Sequence, residues 1–175
     1  MKAKAVSVFS LLLFLVALAG CGYHPMGSEA QIAAAAGRPT VAIPMFTNRS
    51  TEVGLEAVLA NALVQTFSQN NQLRVTPKEE DADLVLEGKV ASVEHSSLAY
   101  FDVNTSTVRR LTVRVELSLK KRSTGKTIWK ETSVFNDDYV VNPNYQIGEA
   151  TRAEGLRRAA YTLARRVLDK VLLVI

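Results

Sequence analysis

The chain has one cysteine, one tryptophan and two histidines among 175 residues. A single cysteine excludes an internal disulfide and any cysteine-rich zinc site. His24 and His95 stand too far apart to offer a metal-ligand pair. The densest acidic run, Glu79-Glu80-Asp81 with Asp83, lacks the spacing and the glycine of a calcium loop and reads as a solvated turn. No Gly-x-Ser-x-Gly nucleophile elbow, phosphate loop or dinucleotide fingerprint occurs. His95, beside Ser96 and Ser97, therefore reads as a surface or hydrogen-bonded strand residue. No catalytic residue, metal or cofactor is expected. Long apolar runs are lacking too. The longest, Leu11 to Ala19, holds nine residues, which as a helix reach roughly 14 Å against the ~30 Å of a bilayer's hydrocarbon.

What that run does have is a context. Lys2 and Lys4 precede it and small residues close it, the layout of a secretory signal peptide. The closing residues Leu18-Ala19-Gly20-Cys21 look like a bacterial lipobox, in which the cysteine is acylated and becomes the first residue of the mature chain. Lipidation would consume Cys21, leaving the fold to stand on its core alone. More than one acyl chain is needed for stable anchoring, which a multiply acylated cysteine supplies. Gly22 follows where an aspartate would favour inner-membrane retention, so the expectation is an outer-membrane anchor facing the periplasm. An ordinary signal peptide cut near a cysteine is the alternative. The chain thus divides into a signal peptide over 1–20, a lipidated N-terminus and tether over 21–38, and one domain over 39–175.

Charge is uneven. The formal net charge is +4, and about +2 without Lys2 and Lys4. Residues 22–104 hold 10 acids and 5 bases, whereas 105–135 hold 8 bases and 2 acids. A basic block points to an anionic partner, or equally to a solvated strand face with long snorkelling side chains. Nucleic acid would be the usual candidate, but export argues against it. Lipopolysaccharide is the anionic polymer of that compartment, and its phosphates suit Arg and Lys.

Periodicity supplies the elements. Thr40 to Ile43 is a short buried strand ended by Pro44, and Met45 to Ser50 a loop. Leu55, Leu59, Ala62, Leu63 and Phe67 mark a helix over 52–69, capped by Ser50 or Thr51. Leu73 to Val75 is a short edge strand before Pro77. Leu84 to about Phe101 is a long strand, bent near Ala91 to His95, and Asp102 to Ser106 turns the chain. Leu111, Val113, Val115, Leu117 and Leu119 alternate with polar residues, so Arg110, Arg114 and Lys120 share the polar face. Arg109 falls on the other. Ser123 to Lys126 is a hairpin turn, and the return strand runs from Thr127 to about Val140 with Trp129 and Phe135 on one side. Leu156, Ala160, Leu163, Val167 and Val171 mark a second helix over 146–172. The expected fold is an α+β two-layer sandwich: a mixed, mostly antiparallel β-sheet with two helices packed on one face. The first strand and helix form a crossover, which makes that strand parallel to a neighbour.

Several stretches, in order, resemble the lipopolysaccharide-assembly lipoprotein family LptE. They are Cys21-Gly22-Tyr23-His24-Pro25, Val41-Ala42-Ile43-Pro44-Met45-Phe46 with Asn48-Arg49, Gly54-Leu55-Glu56, Ala82-Asp83-Leu84-Val85-Leu86-Glu87-Gly88-Lys89-Val90, and Thr124-Gly125-Lys126-Thr127-Ile128-Trp129. The resemblance implies two helices against a mixed sheet, a place in the lumen of the outer-membrane barrel LptD, a part in lipopolysaccharide insertion, and binding of lipopolysaccharide itself. It implies no catalytic residue. Lys130 is the position it carries over most readily to ligand contact. With the basic strand, the candidate lipopolysaccharide-binding residues are Arg110, Arg114, Lys120 and Lys130. The expected partners are an LptD-like β-barrel, lipopolysaccharide and the membrane through the lipid anchor. A lipoprotein adaptor of another assembly or secretion complex, and a lipid-anchored hydrolase, are the competing readings.

Overall fold

The computed structural model describes residues 37–100 and 106–175. The expectations for the signal peptide, Cys21 and most of the tether, and for the turn at 101–105, lie outside the described residues. Strands β1 (Thr40–Ala42), β2 (Thr47–Asn48), β3 (Arg74–Thr76), β4 (Leu84–Tyr100), β5 (Ser106–Lys121) and β6 (Lys126–Val140) make one sheet, with helices α1 (Leu55–Ser68) and α2 (Tyr145–Leu172). The strand order is β3-β1-β4-β5-β6, with β2 pairing β4 beyond β1. β1 lies parallel to β3 and β4, and β2 parallel to β4. β4–β5 and β5–β6 are antiparallel along nearly their whole length. The sheet is mixed and mostly antiparallel, as the crossover requires.

Alternation decides which face is covered. Leu111, Val113, Val115, Leu117 and Leu119 are all fully buried. They form one core with Leu86 and Val90 of β4, Phe135 of β6, Leu59, Leu63 and Phe67 of α1, and Leu156, Leu163 and Val167 of α2. Burying such side chains contributes about 1.5–3 kcal/mol each, so both helical stripes and one sheet face are accounted for by a single apolar layer. The register of β4 shifts between Val90 and Ser92. This bulge, beside the expected bend, keeps Val93 on the core face beyond it.

Two local readings differ from expectation, and a third, the solvated acidic turn, gains detail. The loop Met45–Ser50 contains β2, too short for a periodic signal. The acidic turn closes into a 3-10 turn at Glu79–Asp81. Neither Ser50 nor Thr51 caps α1, which starts at Leu55 behind Gly54 at φ 85° with no side-chain cap. That left-handed backbone favours glycine. Ser50 instead turns inward on Asn48, whose Oδ1 accepts from the Ser50 N–H at 2.9 Å and hydroxyl at 2.7 Å. Asn48 Nδ2 donates to the Glu52 carbonyl and to Glu56 Oε2, both at 2.7 Å. One amide side chain thereby joins β2, the loop and the first turn of α1.

Candidate functional site

The face of the sheet opposite the helices is open. Even-numbered residues of β5 and of β6 from Lys130 onward point to it, because their odd-numbered neighbours fill the core. Register places Arg110 opposite Asp138, Arg114 opposite Val134, and Ser118 opposite Lys130 on β6 and opposite Glu87 on β4. All four candidate cations lie on this one face.

Their electrostatic states differ. Arg110 makes a two-pronged contact with Asp138, Nε to Oδ1 at 2.8 Å and Nη2 to Oδ2 at 2.9 Å. That contact raises the proton affinity of the guanidinium and holds the Asp138 carboxyl below its usual range. Lys120 Nζ sits 2.6 Å from Glu87. Arg114 and Lys130 are exposed, and neither has an ion pair among the described residues. Lys89, which the sequence reading did not single out, pairs with Glu116 at 3.0 Å, and its hydrogen bond holds the Glu116 carboxyl low. The basic block is therefore a checkerboard of ion pairs with two cations, Arg114 and Lys130, outside direct pairs, although the Lys130 charge also helps hold the Glu116 carboxyl low. Composition could not show this, because the compensating acids Glu87 and Asp138 lie on neighbouring strands outside the block. Only cross-strand register brings them in.

A cleft of about 330 Å³ opens on this face between the loop before β2 and the sheet, with Met45, Lys89, Glu116 and Lys130 among its walls. Met45 is 64% exposed there. The cleft thus sets two lysines and two glutamates, Glu87 and Glu116, beside an exposed apolar side chain.

The second polar cluster lies on the helix side. The Glu52 carboxylate pairs with Arg152, which also holds Glu149. His95 Nε2 lies 3.5 Å from Glu52, and His95 Nδ1 shares a 3.1 Å hydrogen bond with the Tyr139 hydroxyl. The two rings meet edge to face at 5.9 Å. The carboxylate contacts raise the proton affinity of Arg152 further. His95 is thus a hydrogen-bonded strand residue, turned away from Ser96, which pairs with Arg110 on the opposite face. The cluster ties the loop before α1 to α2 and the sheet. Arg109 lines a small cavity on this side with Tyr139 and Arg152, away from the other cations. Among the described residues no group of His, Cys, Asp and Glu is placed to hold a metal, and no helix is long and apolar enough to cross a membrane.

The architecture and sequence have relatives. A structure from Caulobacter crescentus matches at TM-score 0.58 with 15% identity, covering 82% of this chain and 97% of its own. Rare lipoprotein B from Shewanella oneidensis matches at 0.50 with 16% identity, covering 76% and 93%. A protein from Xanthomonas campestris matches at 0.58 with 11% identity, covering 78% and 85%. At these identities the likeness is one of fold. No curated protein matches the chain in sequence. The model of the LptE family, described as lipopolysaccharide-assembly, matches residues 38–171. That span takes in every strand and all but the last residue of α2, and so this chain belongs to the LptE lipopolysaccharide-assembly family.

Proposed function

We propose that this protein is an outer-membrane lipoprotein, acylated at Cys21, that plugs and assists the assembly of an LptD-like β-barrel. There it takes part in lipopolysaccharide transport and insertion, and it binds lipopolysaccharide on the open face of the sheet. Family membership supports the role. The observation that carries the site is the pair of exposed, unpaired cations, Arg114 and Lys130, on adjacent strands. Charge-assisted bonds to phosphate are strong, and neither cation must break a direct ion pair to make one. Arg110 and Lys120 stand on the same face and join only by releasing Asp138 and Glu87.

The test is the double variant Arg114→Glu with Lys130→Glu. Folded variant should bind lipopolysaccharide more weakly than wild type at low salt. The gap should close as salt rises, since exposed charges are screened beyond ~8–10 Å at physiological ionic strength. Equal binding at low salt would reduce the face to solvated strand surface. The barrel is tested separately. Crosslinkable residues at the exposed positions Thr47 and Thr124 should capture a large β-barrel in outer membranes. Capture of a different assembly protein would favour the general adaptor reading.

A further inference from the structure

The two edges of the sheet are finished differently. One edge is β3, three residues long and followed by Pro77, a usual way to blunt an edge. The other is β6, 15 residues long, with no proline inside it. The Val141 N–H donates to the Thr107 carbonyl at 3.0 Å. In an antiparallel ladder this makes odd-numbered residues of β6 exchange bonds with β5, while even-numbered ones turn N–H and C=O outward.

The last outward groups are closed from within. Thr151 Oγ1 donates to the Val140 carbonyl at 2.7 Å, and Arg158 Nη2 to the Asp138 carbonyl at 3.2 Å. The Asp138 N–H donates to Asp137 Oδ1 at 2.8 Å. The closure stops there. Among the described residues nothing bonds the outward groups of Lys130, Thr132, Val134 and Asn136, and all four residues are exposed. Open backbone groups in such a row are a template for an added strand. Seven residues at ~3.4 Å each make about 24 Å of edge.

Charge selects the occupant. Lys126 and Lys130 lie on the strand, with Glu131 directly after Lys130. On α2 the flank begun by Arg158, which holds Asp137 at 2.9 Å, continues by helical spacing through Arg165 and Arg166 to Asp169. Counted together, Lys126, Lys130, Arg165 and Arg166 outnumber Glu131 and Asp169 along this flank. We propose that the β6 edge from Lys130 to Asn136 receives an extended strand bearing acidic side chains from a protein partner in the membrane assembly. This rests on the reading that the protein works in a complex, and not on which barrel that complex contains.

The test is amide hydrogen exchange on two preparations of the full-length protein: one purified alone after overproduction, the other extracted from outer membranes in mild detergent with its partners. The amides of Lys130, Thr132, Val134 and Asn136 should exchange quickly in the first and at least tenfold more slowly in the second. Val134→Pro should abolish the slowing, because proline blocks an incoming strand yet removes no bond to β5 at an outward-facing position. A melt shows whether that variant folds. Arg165→Glu with Arg166→Glu, which leaves the strand untouched, should also reduce the slowing, and more so at low salt. Equal fast exchange in both preparations overturns the proposal. So does slowing that appears in the protein alone and scales with its concentration, the mark of β6 pairing between two copies. Slowing in a complex whose partner is not a lipopolysaccharide barrel would sustain the edge while defeating the proposed function.

Discussion

The short parallel half of the sheet and the long antiparallel half are held by different means. β5 and β6 pair from Val108–Val140 to Lys121–Lys126, a ladder long enough to fix its own register. β1 meets β4 at only Val41–Leu84 and Ala42–Val85, and β2 meets it at only Thr47–Lys89 and Asn48–Val90. At about 0.5–1.5 kcal/mol net per hydrogen bond, so few bonds specify little. Side chains make up the difference. Thr40 donates its N–H at 2.8 Å and its hydroxyl at 2.7 Å to Asp83 Oδ2, while the Asp83 N–H returns to Thr40 Oγ1 at 2.9 Å. Asn48 fixes the start of α1, and the Phe46 ring packs against Gly88, where a Cβ would come within 2.1 Å of it. Side chains on the open face of the long half are correspondingly released from structural duty.

The largest effect should come from the core both halves share. Val115 is fully buried at the centre of β5. Val115→Asp places an unpaired charge there, at several kcal/mol. Thermal or urea melts should show a domain near or below the threshold of folding. A wild-type melt would mean that the covered face has been misassigned.

Gly88→Ala is next and strikes the parallel half alone. The added methyl meets a ring that is itself buried, so Phe46 must move, at about 1–3 kcal/mol. Relief should come from a smaller residue at the partner position. Gly88→Ala with Phe46→Leu should lose less than the sum of the two single changes. Strict additivity in a double-mutant cycle would show that the contact is not what glycine serves.

Much of this was legible in the sequence. The alternation from Leu111 to Leu119, the stripes of both helices, the parallel crossover and the edge position of β3 follow from period and turn chemistry, and the structure bears them out. The stretches resembling the LptE family include Phe46, Asn48, Gly88 and Asp83, and these prove to be the residues that lock the parallel half. Resemblance here reports the fold more than the ligand. The site was legible only in outline. Parity on one strand placed Arg110, Arg114 and Lys120 on a common face, but which cations are free depends on residues brought opposite them from other strands. The Glu52–Arg152–His95 cluster was illegible for the same reason, its members coming from three separate elements.

Asp83→Ala should cost about 1–3 kcal/mol, since the buried Thr40 N–H loses its acceptor. The effect should depend on pH. Hydrogen bonds from the Thr40 backbone and then its hydroxyl hold the Asp83 carboxyl below its usual range. A carboxylate with a depressed folded pKa contributes stability that is complete above its unfolded value, ~3.9, and is lost as pH falls through the lower folded value. The gap between wild type and variant should therefore be full at pH 7 and narrow below about pH 4. A gap constant down to pH 2 would assign the contribution to packing instead.

The smallest effect should come from the ion pairs of the open face. Arg110 and Asp138 are both over 40% exposed, and water and salt screen such pairs so that they add little to stability. A double-mutant cycle of Arg110→Ala and Asp138→Ala should give a small coupling that shrinks with added salt. Its value lies in the contrast. If the open face serves a ligand and not the fold, stability there should be nearly indifferent to charge, while ligand binding should not be. Asp138→Ala alone frees Arg110, and on the proposed reading it should strengthen lipopolysaccharide binding while Arg114→Glu weakens it. A large coupling that survives added salt, with binding unmoved by Asp138→Ala, would make this pair a structural element of the long half and confine the ligand to Arg114 and Lys130.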